Sequence, residues 1–182
     1  LPVPDAYKSG DDLIFRSTKK EYLTFNEVFS EMLAFIKQDP NQDYCISVGT
    51  DSLVRTSTVF VTCILVHRVG KGAIGFLHRE DIPRKIKSLK EKIYLETSMS
   101  LRVAYMFDQD KLAKLYNMLG DGKVHDLTLE FHIDIGRKGK TKTLISEMIG
   151  MVQGISFIPK IKPESYCASS YANRYTKSKK SR

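Results

Sequence analysis

The chain has 182 residues, 42% of them hydrophobic, enough for one sizeable core, and no run approaches the roughly 18 apolar residues that a membrane span needs. Lys and Arg outnumber Asp and Glu by 29 to 21, a net charge of +8 that favours polyanionic partners, although part of the excess lies in the tail Lys177-Ser178-Lys179-Lys180-Ser181-Arg182. The start Leu1-Pro2-Val3-Pro4-Asp5 lacks the regions of a signal peptide, and Cys45, Cys63 and Cys167 show no C-x-x-C spacing, so a cytoplasmic protein without disulfides or structural zinc is expected.

In chain order, residues 1–20 read as an extension with one apolar patch, Leu13-Ile14-Phe15. Thr24 and Glu27 form a capping box, after which Phe25, Val28, Phe29, Met32, Leu33 and Ile36 recur at helical spacing until Asp39-Pro40. Strands are predicted over 44–52, 58–69 and 73–82, the last two joined by Gly70-Lys71-Gly72 as part of a meander. Helices follow over 88–107 and 109–119, closed by the turn Gly120-Asp121-Gly122. The remainder reads as a strand over 127–135, a helix over 141–152, a strand over 155–161 and a helix over 165–175. This order predicts an α/β domain over 21–177, a mixed sheet with helices on both faces, preceded by an extra N-terminal helix and followed by a basic, disordered tail over 178–182.

Two strands end in a carboxylate. Asp51, in Ser47-Val48-Gly49-Thr50-Asp51-Ser52, shares a face with Cys45, Ser47 and Gly49; Asp134, in His132-Ile133-Asp134-Ile135-Gly136, falls on the polar parity of its strand with Thr128, Glu130 and His132. Charge is costly to bury, so aspartates at strand ends read as cation ligands or acid/base groups. If the strands are parallel neighbours, both point into the crevice where open sheets bind ligands. Glu96 lies on the stripe Leu89, Ile93, Glu96, Ser100, Val103 and Phe107 that should face the sheet. A shared Mg²⁺ or Mn²⁺ would compensate all three acids and suits two-metal phosphoryl transfer; the alternative for Glu96 is an ion pair with Lys92, four residues earlier.

The segments Gly49-Thr50-Asp51-Ser52, Ile82-Pro83-Arg84-Lys85, His132-Ile133-Asp134-Ile135-Gly136 and Lys160-Ile161-Lys162-Pro163-Glu164-Ser165, with Ala168-Ser169-Ser170-Tyr171-Ala172-Asn173-Arg174-Tyr175-Thr176-Lys177, resemble the bacterial YkuK-type family of predicted RNase H-like proteins. The resemblance implies an RNase H-like fold of order βββαβαβα and a divalent-metal nuclease activity. It also implies that Asp51, Glu96 and Asp134 are the acids of the first strand, first helix and fourth strand. RNase H-like nucleases usually carry a fourth acid at the last helix. Here that helix has Asn173 but no Asp or Glu, which leaves Glu164 as a further metal ligand or a helix cap.

Gly136-Arg137-Lys138-Gly139-Lys140-Thr141 imitates a phosphate-binding P-loop but carries Asp134 where the pattern needs glycine. Arg137, Lys138, Lys140 and Lys142 are instead candidates for phosphate contacts with RNA, DNA or a hybrid, a track that Arg84 and Lys85 extend; a solvated loop is the alternative. Tyr166, Tyr171 and Tyr175 offer base stacking or sheet packing, His132 a water-orienting or a core role, and Ser52 a hydrogen bond to its own turn. The enzyme reading competes with a nucleic-acid-binding module that kept the fold and lost turnover.

Overall fold

The computed structural model describes residues 13–119, 126–137, 142–172 and 174. Helix α1 (Phe25–Lys37) opens with the capping box of Thr24 and Glu27 and buries Phe25, Val28, Phe29, Met32 and Ile36. Strands β1 (Tyr44–Val54), β2 (Thr58–Arg68) and β3 (Gly72–Ile82) form the antiparallel meander. Then come α2 (Leu89–Ala104), α3 (Gln109–Leu119), β4 (Leu127–Gly136), α4 (Ile145–Val152) and β5 (Ile158–Lys162). The five strands make one mixed sheet in the order β3-β2-β1-β4-β5, with β1, β4 and β5 parallel.

The period-2 pattern of β1 sorts its side chains as the alternation requires. Tyr44, Ile46 and Val48 join a large core with Met32 and Ile36 of α1, Ile93 and Val103 of α2, Leu115 of α3 and Met148 of α4. On the other face Cys63, Leu65 and Leu77 pack beneath a helical turn, Cys167–Ala172. Before the first helix, Leu13 and Phe15 are buried, and Arg16 bridges to Leu77 of β3.

Several boundaries differ from expectation. The long helix stops at Ala104 rather than 107, because Asp108 accepts the Lys111 N–H and starts α3. Helix α4 is shorter and is preceded by a 3-10 turn, Lys142–Leu144. The last helix is a wide π-type turn from Cys167 to Ala172, held by the strands beneath it. The Gly120-Asp121-Gly122 turn, Asn173, Tyr175 and the tail lie outside the described residues. Among those described, no helix is long and apolar enough to cross a membrane.

Candidate active site

The parallel ladder of β1 and β4 runs from Tyr44 opposite Leu127 to Gly49 opposite His132, and there it ends. Asp51 and Asp134 each follow two residues later, past the end of the paired ladder on adjacent strands. Helix α2 crosses this end of the sheet, running against β1: Ser100 bonds Thr50 at 2.7 Å, and one turn earlier Glu96 accepts from Ser52 at 2.7 Å. Asp51 is 7% exposed and Glu96 4%. Three elements thus bring three carboxylates to one corner.

Lys92 is paired with one of these acids and feels the charge of the other two. Its ammonium is 3.0 Å from Glu96 Oε1, and it also interacts with Asp51 and Asp134. Burial works against this ammonium, but Glu96, Asp51 and Asp134 together outweigh it and raise its pKa. Both readings of Glu96 meet here, because the residue is buried at the acid cluster and paired with Lys92. Burial pushes its carboxyl up to about 7, against the lowering effects of Lys92 and the Ser52 hydroxyl, while the charge of Asp51 adds to the rise. Ser52 corrects an expectation: β1 continues to Val54, so its hydroxyl serves Glu96 rather than a turn.

Lys162 is a second cation that the sequence reading did not single out. The β4–β5 pairing is irregular between His132 and Gly136, and this brings Lys162 beside Asp134, Nζ to Oδ1 at 3.0 Å. That oxygen is buried and the ammonium lies off the hydrogen-bond angle, so the contact is an ion pair by proximity alone.

His132 is buried at 1% exposure, as a core histidine. Its Nδ1 accepts the Cys167 N–H at 2.9 Å, which leaves Nε2 to donate to Glu130 at 2.8 Å. Burial lowers its pKa although Glu130 raises it. Tyr166 packs edge-on against His132, with ring centroids 4.7 Å apart, and its hydroxyl meets Ser47; Tyr171 lies against Gly75. Both tyrosines therefore pack on the sheet.

Glu164 follows the end of β5. It is exposed, and its main chain forms the turn after β5 through the Ile161 and Tyr166 backbones. Among the described residues no hydrogen bond or ion pair engages its carboxylate. Of the basic candidates, Arg137, Lys142 and Lys85 are exposed, and Arg84 pairs with Glu91 at 2.5 Å. Arg84 and Lys85 precede the start of α2 and Arg137 follows β4, beyond the strand ends that carry the acids. Lys138 and Lys140 lie outside the described residues.

One buried carboxyl at this corner has a pKa raised by burial, and one buried carboxylate oxygen has no hydrogen-bond partner although Lys162 lies 3.0 Å away. All three acids offer hard oxygen donors, the chemistry that Mg²⁺ or Mn²⁺ prefers. As the side chains stand, no three Asp, Glu, His or Cys residues among those described converge on a single ligating point. Asp51, Glu96 and Asp134 fit a divalent cation in charge and donor type, with Lys92 in its way.

The strand order and the covering helices are those of an RNase H-like domain, and the family model "Ribonuclease H-like" matches residues 27–177. The chain belongs to the ribonuclease H-like family. It is similar to the uncharacterized protein YkuK of Bacillus subtilis (strain 168), 44% identical over 173 residues that cover 92% of this chain and 99% of that protein. No solved structure matches the chain.

Proposed function

We propose that this protein hydrolyses phosphodiester bonds in nucleic acid at Asp51, Glu96 and Asp134, with Mg²⁺ or Mn²⁺ as cofactor. The observation that carries the reading is that acids from β1, α2 and β4 all act on the Lys92 ammonium, which lies 3.0 Å from Glu96. A divalent cation bound there would activate the attacking water and stabilise the departing oxygen. Asp51 and Asp134, on adjacent strands, would hold the cation with Glu96, which Ser52 fixes through a 2.7 Å hydrogen bond. Lys85, Arg137 and Lys142, all exposed, together with Arg84, Lys138 and Lys140, would hold the sugar-phosphate backbone, contacts that carry no sequence information. RNA, DNA and hybrid duplexes are all candidate substrates.

One observation favours a second reading, an RNase H-fold nucleic-acid-binding protein with little or no turnover. Glu164, the remaining candidate for a further metal ligand, is exposed, and among the described residues no hydrogen bond or ion pair engages its carboxylate.

The test is incubation of purified protein with labelled RNA, DNA and hybrid duplexes in Mn²⁺, beside Asp51→Asn. Cleavage by the wild-type chain and none by the variant supports the enzyme. Binding without cleavage by either selects the second reading, and equal cleavage by both defeats the assignment of Asp51.

A further inference from the structure

Lys92 offsets the charge of the carboxylates that a divalent cation would need. Its ammonium is 3.0 Å from the Glu96 oxygen that Ser52 also binds, and the charges of Asp51 and Asp134 act on it as well. A full positive charge so close to the ligands repels an incoming cation strongly in a partly buried setting. The lysine is nevertheless able to leave. Its side chain is 25% exposed against 5% for Glu96, and its long stem can swing toward solvent while α2 stays in place.

Helix α2 runs against β1, so Lys92, one turn before Glu96, lies toward the ends of β1 and β3 and the start of α2, ahead of which Arg84 and Lys85 are exposed. An ammonium displaced from the acids therefore emerges on the side where a nucleic-acid backbone would lie. From this geometry we propose that Lys92 alternates between two anions: the Asp51, Glu96 and Asp134 carboxylates when no metal is bound, and a backbone phosphate of the substrate when a divalent cation takes its place. The inference rests on the metal reading above. In it Lys92 is a positioning residue that keeps the acid corner assembled without metal and then serves the substrate.

The test measures two affinities with opposite expected signs. Mn²⁺ binding is followed by the electron paramagnetic resonance of the free ion. Binding of a labelled, hydrolysis-resistant phosphorothioate oligonucleotide in saturating Mn²⁺ is followed by fluorescence anisotropy. Lys92→Met should bind Mn²⁺ about tenfold more tightly than the wild type and the oligonucleotide several-fold more weakly, while Lys92→Arg stays near the wild type on both. Lys92→Gln repeats the measurement should the Met variant not fold.

Unchanged or weaker Mn²⁺ binding in Lys92→Met, with the wild type binding normally, overturns the role of Lys92 and leaves the metal reading standing. Tighter Mn²⁺ binding with unchanged oligonucleotide affinity overturns the transfer to phosphate. If the wild type and every variant fail to bind Mn²⁺, the metal reading falls and takes this inference with it.

Discussion

His132 ties the last helical turn to the sheet through Cys167: its Nδ1 accepts the Cys167 N–H at 2.9 Å, while its Nε2 donates to Glu130 at 2.8 Å. Both bonds depend on one neutral tautomer. The Cys167 thiol adds contacts to the Ser47 and Cys63 carbonyls, so this turn is fastened across β1, β2 and β4 together. The segment that covers the acid-bearing face is therefore held by a polar anchor as well as by packing.

His132→Leu should cost about 2–3 kcal/mol, because it orphans a buried backbone N–H and removes the donor to Glu130. The sign of the pH effect follows from burial, which lowers the folded-state pKa of His132 below its unfolded value. The folded state then binds fewer protons, so this group's stability contribution is present above pH ~6.5 and falls as pH drops through the folded pKa. Urea midpoints from pH 8 to 5 should show this acid-side loss as the difference between the wild type and His132→Leu, beneath the opposite slope that Glu96 adds to both.

Glu96 acts in the opposite direction. Its carboxyl is pushed from 4.5 up to about 7, so the folded state binds more protons than the unfolded chain and stability falls as pH rises between those values. The full swing is about 3 kcal/mol. Glu96→Gln should remove it, gaining stability above pH 7 and exposing the His132 slope alone in the same urea series. A variant with an undiminished alkaline loss would mean that Glu96 ionises freely in the fold.

Much of this arrangement was legible in the residues. Strand parity put Asp51 and Asp134 on the small and polar faces, and helical periodicity turned Glu96 inward, because both repeats are local geometry. The capping box of Thr24 and Glu27 and the bounds of α3 are likewise local and were read directly. Contacts made at a distance were not readable. Lys162 reaches Asp134 only through an irregular β4–β5 register, Ser52 reaches Glu96 only because β1 runs on past the expected turn, and the last turn takes its π-type form against strands more than a hundred residues earlier.

Gly75 is held to glycine by its neighbour. A Cβ built there would overlap the ring and hydroxyl of Tyr171, so Gly75→Ala must push the phenol off β3. The expected cost is about 1–3 kcal/mol in denaturant midpoint. Tyr171→Phe should not relieve it, since ring atoms clash as well as the hydroxyl, whereas Tyr171→Leu in the Gly75→Ala background should recover most of the loss.

Divalent metal should stabilise this fold against heat, because the three acids belong to β1, α2 and β4, and a cation shared among them links elements that unfolding separates. A ligand that binds only the folded state at a hundred times its Kd adds about 2.7 kcal/mol, less whatever Lys92 contributed before it was displaced. Differential scanning fluorimetry with increasing Mn²⁺ should raise the wild-type Tm by several degrees. Asp51→Asn and Asp134→Asn should lose most of that rise. Lys162→Met should keep it, since its ammonium is half exposed and joined to Asp134 by proximity alone, a pair worth under about 1 kcal/mol. A rise of equal size in the wild type and both aspartate variants would locate the bound ion elsewhere on the molecule.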